Sequence, residues 1–325
     1  MTSASAPGKI ILFGEHAVVY GRAALAVPVT QVQATATVGA HSGPFDKLTC
    51  ACGTGTGRAT PETWIDAPDI GISSDLSRLP PDHPLAAAVN GVFAASGIPS
   101  HSPFTIHVTS TIPVASGLGS GAAVSVAVIR ALSEFLGHQL TDEQVNGIAY
   151  EVEKLHHGTP SGIDNTVITY AKPVYFIKGQ PIETFHVGAP FTIIIADTGI
   201  SALTKESVGD VRKLWEADKR KWEKVFDEIG EIVKAAKEKI ETGDWTALGP
   251  LMDANHALLQ KLTVSSAELD RLVEAGRRSG ALGAKMSGGG RGGNMIALVQ
   301  VERAEEVAQA LRSAGARHKI VSTIR

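Results

Sequence analysis

Residues 112–123 read Ile112-Pro-Val-Ala-Ser-Gly-Leu-Gly-Ser-Gly-Ala-Ala123, a glycine-rich turn between a β-rich run and an apolar helical pattern. Gly117, Gly119 and Gly121 lack Cβ atoms, so backbone N–H groups at this turn can approach an anion closely. A helix that begins directly after the turn adds its positive dipole end. The stretch therefore indicates either a phosphate-binding loop or an ordinary turn between a strand and a helix.

Length and composition exclude several classes of protein. The chain has 325 residues, of which 43% are hydrophobic, enough for two domains or one large domain. Lysine and arginine number 30 against 33 acidic residues, a net charge of −3, without a dense basic cluster. We therefore expect neither a nucleic-acid partner nor a membrane surface.

The two cysteines and the N-terminal sequence bear on the cellular compartment. Cys50 and Cys52 are separated by one residue, which fits neither a disulfide framework nor a four-ligand zinc site. The sequence shows no signal-peptide pattern, and no apolar run approaches the roughly 18 residues of a membrane span. We expect a cytoplasmic protein.

The hydrophobic periodicity predicts a β-rich first half and a helix-rich second half. Predicted strands are 9–13, 23–38, 47–51, 63–66, 104–110, 167–177, 192–197, 295–301 and 319–324. Predicted helices are 84–96, 122–136, a capping-box helix from Thr141 through Glu153, two amphipathic helices within 207–242, then 245–262, 267–278 and 304–314. The fold class is therefore α+β, and a composition shift at 178–190 predicts domains at 1–180 and 181–325.

Two other glycine patterns compete with the phosphate-loop interpretation. Gly117-x-Gly119-x-x-Ala122 also satisfies the dinucleotide-binding fingerprint, but a helix follows where that fingerprint requires a second strand and an acidic residue. The run Gly53-Thr-Gly-Thr-Gly57 has no helix behind it and is interpreted as a loop. Neither pattern ends in the Gly-Lys-Ser/Thr of a Walker A motif.

Three ordered segments, spanning essentially the whole chain, resemble the signature motifs of the GHMP small-molecule kinases. Motif one is Ala6-Pro-Gly-Lys-Ile-Ile-Leu-Phe-Gly-Glu-His-Ala-Val-Val-Tyr-Gly21, motif two is 113–123, and motif three is Lys285-Met-Ser-Gly-Gly-Gly-Arg-Gly-Gly-Asn294. Between them, Glu153-Lys-Leu-His-His-Gly-Thr-Pro-Ser-Gly-Ile-Asp164 resembles the family's acidic segment. Three such motifs in order are far more specific than any one alone.

The resemblance implies a two-domain GHMP kinase fold with a β-rich N-terminal domain that binds ATP. The C-terminal domain would be helix-rich and ferredoxin-like, and would supply motif three. Residues 14–19 and 157–162 are similar to family members that phosphorylate mevalonate on its primary hydroxyl, giving 5-phosphomevalonate in isoprenoid synthesis. The implied partners are mevalonate, ATP and Mg²⁺, and a homodimer stays open.

The same resemblance leaves two alternatives. One is another family phosphotransferase or decarboxylase, such as a phosphomevalonate kinase, a mevalonate 3-kinase or a sugar kinase. The other is a non-catalytic ligand-binding protein on the same fold, which would be expected to lose Lys9 or Asp164; this chain keeps both residues.

Four residues match the family's catalytic and substrate positions. Asp164 matches the catalytic aspartate, which would accept or orient the proton of the attacking hydroxyl. Lys9 matches the motif-one lysine, whose charge would ease deprotonation of that hydroxyl. Glu15 and His16 match positions that face mevalonate. The simpler interpretations are a helix cap for Asp164, solvated surface for Lys9, and a cap or core hydrogen bond for His16.

The remaining assignments concern the phosphates and the metal. Glu153 matches the magnesium-binding glutamate, with Ser120 as a second ligand, although an exposed helix carboxylate is the simpler interpretation of Glu153. His156 and His157 lack the companions of a metal site and are interpreted as structural. The expected ATP-binding residues are Pro113, Ala115, Ser116, Gly117, Leu118, Gly119, Ser120, Gly121 and Ala122. The third glycine motif, which the C-terminal domain would contribute together with part of the substrate site, comprises Ser287, Gly288, Gly289, Gly290 and Arg291.

The chain departs from the family pattern at two positions. Gly121 stands where the family has a serine that commonly binds magnesium, so Ser120 or a water would have to take its place. Arg291 is inserted in motif three, where it would either pair with a phosphate or the substrate carboxylate, or point into solvent.

Overall fold

The computed structural model describes residues 1–40, 63–98, 103–113, 116–157, 160–201 and 204–325. Several predictions lie outside the described residues: both cysteines, the strand at 47–51, the glycine run at 53–57, and Ala115 of the phosphate loop.

The described part of the chain forms strands and α-helices in runs, without strict alternation. The strands are β1 (Thr2–Phe13), β2 (Ala24–Ala40), β3 (Trp64–Ala67), β4 (Ile72–Asp75), β5 (Phe104–Ser110), β6 (Val174–Phe176), β7 (Glu183–Thr184), β8 (Phe191–Asp197), β9 (Gly283–Ser287), β10 (Asn294–Val299) and β11 (His318–Ile324). The α-helices are α1 (Pro84–Ser96), α2 (Ser120–Phe135), α3 (Asp142–His157), α4 (Ile163–Tyr170), α5 (Thr204–Ala217), α6 (Lys219–Glu241), α7 (Leu248–Lys261), α8 (Ala267–Arg278) and α9 (Ala304–Ser313).

The chain divides into two compact units that are discontinuous in sequence. The first comprises residues 1–6, 32–111 and 121–160, and the second comprises 7–31, 112–120 and 161–325. Motif one from Pro7 onwards, the phosphate loop as far as Ser120, and motif three therefore belong to the second unit. The predicted division at residue 180 stays a prediction.

The first unit contains a short mixed sheet and three helices. Residues 34–40 of β2 pair antiparallel with β5, β3 runs parallel to β5, and β4 pairs antiparallel with β3. Helices α1 and α3 pack closely at Gly91. A Cβ on Gly91 would lie 2.5 Å from Ile148 Cγ2, so the absence of a side chain at this position permits the contact. The described side chains of α2 are mostly buried, which confirms the prediction of an apolar helix.

The predicted capping box at the start of α3 is confirmed. Thr141 N donates to Oε1 of Gln144 at 2.9 Å, and Gln144 N donates to Thr141 Oγ1 at 3.3 Å. The two side chains therefore satisfy backbone N–H groups that the first turn of a helix leaves without partners.

The second unit contains a four-stranded antiparallel sheet in the order β11-β8-β10-β9. Numbered within this sheet, β8, β9, β10 and β11 lie in the order 4-1-3-2, with helices between the first and second strands and between the third and fourth. This is the ferredoxin-like arrangement that the family resemblance implies. Every described residue of β9 and β10 is buried, and α7, α8 and α9 pack on the sheet.

The predicted strand at 167–177 is wrong over its first half. Helix α4 continues to Tyr170, and only Val174–Phe176 is a strand. The β-branched residues of this run favour a strand, but Ile163 and Val167 lie four residues apart on one face of α4 and join a buried apolar cluster. Tertiary packing therefore overrides the local preference.

Two other differences are smaller. Strand β9 lies in a stretch for which the periodicity gave no element, and the predicted helix at 245–262 begins with a 3-10 turn, Trp245–Ala247, before α7. The predicted pair of amphipathic helices in 207–242 is confirmed as α5 and α6. In the part of the chain that the structure describes, no helix is long and apolar enough to cross a membrane.

Candidate active site

The glycine loop of motif two is held against the lysine of motif one. Lys9 N in β1 donates to the carbonyl oxygen of Leu118 at 2.9 Å. Gly117 and Gly119 have φ of 79° and 75°, in the left-handed region where any residue with a Cβ atom is strained. A Cβ on Gly119 would lie 2.7 Å from Ile168 Cδ1 and 3.0 Å from Lys9 Cγ. Glycine at position 119 therefore lets the loop pack directly on Lys9 and α4.

Lys9 and Asp164 form an ion pair beside this loop. Lys9 Nζ lies 3.0 Å from Asp164 Oδ1, and the two side chains are 5% and 29% exposed. Asp164 stands in the first turn of α4, which follows Gly162 with φ 91°. The structure thus brings together the two predicted catalytic residues, and the aspartate is the member that solvent can reach.

Glu15 lies after β1 and forms a buried ion pair with Lys285 of β9. Lys285 Nζ donates to Glu15 Oε1 and, at 2.7 Å, to the carbonyl oxygen of Met286. Glu15 is 1% exposed and Lys285 is fully buried. Burial raises the pKa of the Glu15 carboxyl and lowers the pKa of the Lys285 ammonium, while the attraction between them opposes both shifts.

His16 connects motif one to motif three. Its Nε2 lies 3.0 Å from the carbonyl oxygen of Gly289, so Nε2 is assigned the proton and Nδ1 is free of one. Burial lowers the pKa of His16 to about 4, and the charge of Arg291 acts in the same direction. At neutral pH His16 is therefore an uncharged hydrogen-bonding group. It can form a hydrogen bond with a substrate hydroxyl, but it supplies no positive charge to a carboxylate.

Motif three is fixed to the rest of the second unit by hydrogen bonds at both ends. Ser287 Oγ donates to the Ile11 carbonyl at 2.7 Å, and Asn294 Nδ2 donates to the Ser116 carbonyl. Thr198 N donates to the carbonyl of Gly293 at 2.9 Å. The third motif therefore contacts β1 through Ile11 and the phosphate loop through Ser116.

Arg291 has a partner that the sequence did not suggest. Its Nη1 donates to Asp210 Oδ2 of α5 at 2.6 Å, and its backbone N donates to the Val264 carbonyl at 2.7 Å. Hydrogen bonds from Lys213 and then Arg291 lower the pKa of Asp210 to about 2. The arginine therefore neither points freely into solvent nor carries an uncompensated charge.

The other residues predicted for the phosphate loop differ in their solvent exposure. Ser116 is buried and its hydroxyl donates to the Pro113 carbonyl at 2.8 Å, so that hydroxyl is used within the loop. Gly117 is exposed and Ser120 is half-buried. Gly121 and Ala122 lie in the first turn of α2.

The predicted metal ligands can be described only separately. Glu153 lies on α3 in the first unit and is 4% exposed, so it is not the exposed helix carboxylate of the simpler interpretation. Ser120 lies in the second unit. The described residues contain no group of three or more His, Cys, Asp or Glu side chains arranged to hold a metal ion. The side chains of His156 and His157 lie outside the described part of the structure.

Sequence reasoning did not assign roles to Lys285, Asn294 and Asp210. The need for a partner of opposite charge at Lys285 follows from the burial of Gly283–Ser287, which the folded structure shows and the sequence pattern did not. Asn294 ends motif three and likewise lies in a buried strand. No local pattern connects Asp210 with a residue 81 positions away.

The fold and these loops define a small-molecule kinase of the GHMP class. Residues 84–172 match the family model "GHMP kinases N terminal domain", and residues 225–317 match "GHMP kinases C terminal". Mevalonate kinase of Thermococcus sibiricus is 38% identical to this chain over 96% of the chain and 93% of the relative. The chain belongs to the mevalonate kinase family.

Solved structures agree with this assignment. The crystal structure of L. major mevalonate kinase in complex with R-mevalonate has a TM-score of 0.82 and 28% identity, covering 100% of this chain and 96% of that one. Streptococcus pneumoniae phosphomevalonate kinase, in complex with phosphomevalonate and AMPPNP, has a TM-score of 0.78 at 17% identity. It covers 99% of this chain and 100% of that chain, and it shows a shared fold only.

Proposed function

We propose that this protein transfers the γ-phosphoryl group of ATP to the primary hydroxyl of mevalonate, giving 5-phosphomevalonate and ADP. The observation that carries the proposal is the Lys9–Asp164 pair, 3.0 Å long and packed against the glycine loop through Gly119. A proton acceptor, a fixed positive charge and a loop rich in N–H groups are the parts that phosphoryl transfer requires.

In the proposed reaction the substrate hydroxyl oxygen bonds to the γ-phosphorus, and the bond from that phosphorus to the β–γ bridging oxygen breaks. The hydroxyl proton passes to the Asp164 carboxylate, which is partly exposed and so can meet a substrate. Lys9 is buried with its ammonium fixed beside Asp164, so it can stabilise negative charge on the attacking oxygen without reorganising. ADP leaves with the bridging oxygen.

Glu15 and His16 are proposed to bind the acceptor. Glu15 presents a carboxylate oxygen that accepts from hydroxyl donors, and His16 is neutral with Nδ1 available as an acceptor. Both groups suit the hydroxyls of mevalonate. Lys9, beside the partly exposed Asp164, is proposed to contact the same primary hydroxyl that Asp164 deprotonates.

The phosphates of ATP are assigned to motif two, with Mg²⁺ as the accompanying cation. Glu153 offers a carboxylate oxygen and Ser120 a hydroxyl oxygen; each, taken separately, is a ligand type that magnesium prefers, and the ion needs only one or two protein ligands. When bound, magnesium neutralises charge on the phosphates. The donor chemistry of these residues fits the ion, and the missing hydroxyl at Gly121 is compatible with a water in its place.

One observation bears on the alternative of an acceptor that already carries a phosphate. Arg291 was the residue best suited to such an acceptor, and its guanidinium instead pairs with Asp210 at 2.6 Å. Its charge is compensated within the second unit. Mevalonate is therefore favoured over phosphomevalonate as the acceptor.

Three assignments remain hypotheses that accompany this function. They are the division into domains at 1–180 and 181–325, a cytoplasmic location, and a homodimer. Light scattering of the purified chain during size-exclusion chromatography measures the last of these directly.

The proposal is tested by ADP release, coupled to a dehydrogenase, with mevalonate, phosphomevalonate and several sugars as acceptors. We expect ADP release with mevalonate to exceed that with every other acceptor by at least about 100-fold in kcat/KM, since a hydroxyl-binding site rejects mismatched acceptors strongly. Comparable or faster turnover of another acceptor would assign the protein to a different GHMP activity.

A further inference from the structure

One carboxylate oxygen in the second unit is buried without a hydrogen-bond partner. Glu15 Oε1 accepts from Lys285 Nζ, whereas Glu15 Oε2 has no partner among the described residues. Buried polar atoms in folded proteins nearly always have partners, so an orphan at a binding site points to a group that a ligand supplies. A carboxylate oxygen accepts only, so the missing group is a donor such as a hydroxyl.

Lys285 is placed to control this oxygen. It stands in a strand whose residues are all buried, and its ammonium bonds to Glu15 and to the Met286 carbonyl, with the Phe13 ring centroid 5.9 Å away. The protein therefore fixes two hydrogen-bond donor directions of the Lys285 ammonium. Removing two opposite charges from water is costly, and an apolar pair of similar volume is often at least as stable. Stability alone does not account for this pair.

We propose that Lys285 is a positioning residue of the acceptor site. It holds Glu15 ionised, with Oε1 engaged, so that Oε2 faces the site and accepts a hydrogen bond from a hydroxyl of the acceptor alcohol. This inference rests on the proposed function, because the acceptor is the alcohol named there. Lys285 acts through Glu15 and does not itself touch the substrate.

The charges around Glu15 determine how the site responds to pH. Lys285 faces it from β9 and Lys9 faces it from β1. His256 of α7 faces Lys285, and burial lowers the pKa of His256 to about 4, so it is neutral in the working range. Without Lys285, the burial that raises the pKa of Glu15 is opposed only by a hydrogen bond from the backbone of Glu15 itself and by the charge of Lys9. The pKa of the Glu15 carboxyl then rises, and the protonated carboxyl cannot accept through Oε2 when it carries the proton there.

The test begins with Lys285→Met, measured by KM for mevalonate and for ATP across pH 6 to 9. We expect KM for mevalonate to rise about 10- to 100-fold at pH 7, the range for a hydrogen bond to a charged group, with KM for ATP within about threefold. The defect is expected to shrink as the pH rises and Glu15 ionises. Lys237→Met is the control, because Lys237 is also paired with carboxylates, those of Glu183 and Glu241, but lies away from Glu15. It is expected to leave KM for mevalonate unchanged.

A second comparison does not depend on the folding of the single variant. E15Q/K285M leaves no member of the pair alone, whereas E15Q leaves the Lys285 ammonium without its partner, so both proteins are first checked for folding by circular dichroism, and mevalonate binding by each is then measured calorimetrically without nucleotide. If Lys285 acts through Glu15, adding K285M to E15Q leaves mevalonate affinity unchanged within about twofold. A further loss of tenfold or more in the double variant, or a pH-independent KM in K285M, would overturn the inference.

The outcomes also separate this inference from the proposed function. Wild-type protein that releases no ADP with mevalonate contradicts the function itself. Wild-type protein that turns over mevalonate, together with a K285M variant of normal KM for mevalonate, contradicts only the role of Lys285.

Discussion

Lys9 and Asp164 differ in solvent exposure, and the proposed mechanism gives them different roles. The lysine is almost completely buried, so its charge is little screened by water, and its Nζ is fixed 3.0 Å from the aspartate. The aspartate retains 29% of its side-chain exposure, which leaves an oxygen accessible to an entering hydroxyl. In the proposed mechanism the lysine would therefore supply a constant field and the aspartate would exchange a proton.

The first prediction for a single residue concerns Asp164→Asn. The amide cannot take the hydroxyl proton, so we expect kcat to fall by about 100- to 10,000-fold, the usual contribution of a general base. The phosphate loop is unchanged, so ATP affinity, measured by calorimetry, is expected to stay within about threefold. Activity near that of the wild type would remove Asp164 from the chemistry.

A second residue-scale prediction concerns Gly121→Ser. The variant supplies the hydroxyl that the family pattern has at this position, in the first turn of α2. We expect the magnesium concentration for half-maximal rate to fall severalfold, because one more oxygen ligand becomes available. Gly147→Ser on α3, where an added Cβ meets nothing within 4 Å, is the control and is expected to leave that concentration unchanged. An unchanged value in Gly121→Ser would mean that water or Ser120 already fills the position.

At the scale of elements, the third glycine loop is shaped by close backbone approach. Gly290 has φ 79°, and a Cβ there would lie 2.0 Å from the Val264 carbonyl oxygen. Gly288 has φ 89°, but a Cβ there meets nothing within 4 Å. The two glycines thus share a left-handed backbone conformation, which would strain any residue with a Cβ, and they differ in the space available for a side chain.

This difference gives a matched pair of variants. Gly288→Ala is expected to lower the free energy of unfolding by about 1–2 kcal/mol, the cost of the left-handed conformation. Gly290→Ala is expected to cost about 1–3 kcal/mol more, because the loop must move to relieve the overlap. Urea denaturation of both proteins measures the difference, and equal losses would contradict the tight contact with Val264.

The Arg291–Asp210 pair connects the same loop to α5. Its side chains are 34% and 38% exposed, so the ion pair is expected to contribute no more than about 1 kcal/mol to stability. We expect Arg291→Ala to keep KM for mevalonate and ATP within about threefold, because the guanidinium is already paired. A tenfold rise in either KM would show that the arginine leaves Asp210 to bind a substrate.

Much at the element scale could be predicted from the sequence, for identifiable reasons. The capping box at Thr141, the apolar helix α2 and the amphipathic helices α5 and α6 carry local signals, and the structure confirms them. Helix α4 could not be predicted, because its β-branched residues favour a strand and only burial against a distant cluster makes it helical.

The candidate site divides in the same way. Lys9, Glu15, His16 and Asp164 were accessible through motifs, and the structure places Lys9 against Asp164, although their roles stay proposals. The pairing of Lys285 with Glu15 links residues 270 positions apart. Such a contact depends on the folded chain, and no periodicity or spacing in the sequence encodes it.

At the scale of the whole molecule, two buried histidines make stability depend on pH. Burial lowers the pKa of both His16 and His256 to about 4, against about 6.5 in an unfolded chain. Acid therefore protonates the unfolded state first. The stability they contribute is complete above about pH 6.5 and is lost as the pH falls towards 4, at about 3 kcal/mol for each histidine.

We accordingly expect the urea midpoint to drop between pH 7.5 and pH 5. The drop should be smaller in His256→Gln, which removes one of the two titrating groups, and unchanged in His186→Gln, which alters an exposed histidine. A wild-type midpoint that stays constant over this range would mean that the two histidines titrate normally in the folded protein.

The central claim, phosphoryl transfer to the primary hydroxyl of mevalonate, is tested most directly by phosphorus NMR of the product that the wild-type protein forms from ATP, Mg²⁺ and R-mevalonate. We expect one new phosphomonoester resonance, split by the two protons of the adjacent CH₂ group, with one equivalent of ADP. A phosphorus resonance without that coupling, as a tertiary phosphate ester would give, or inorganic phosphate alone, would contradict it.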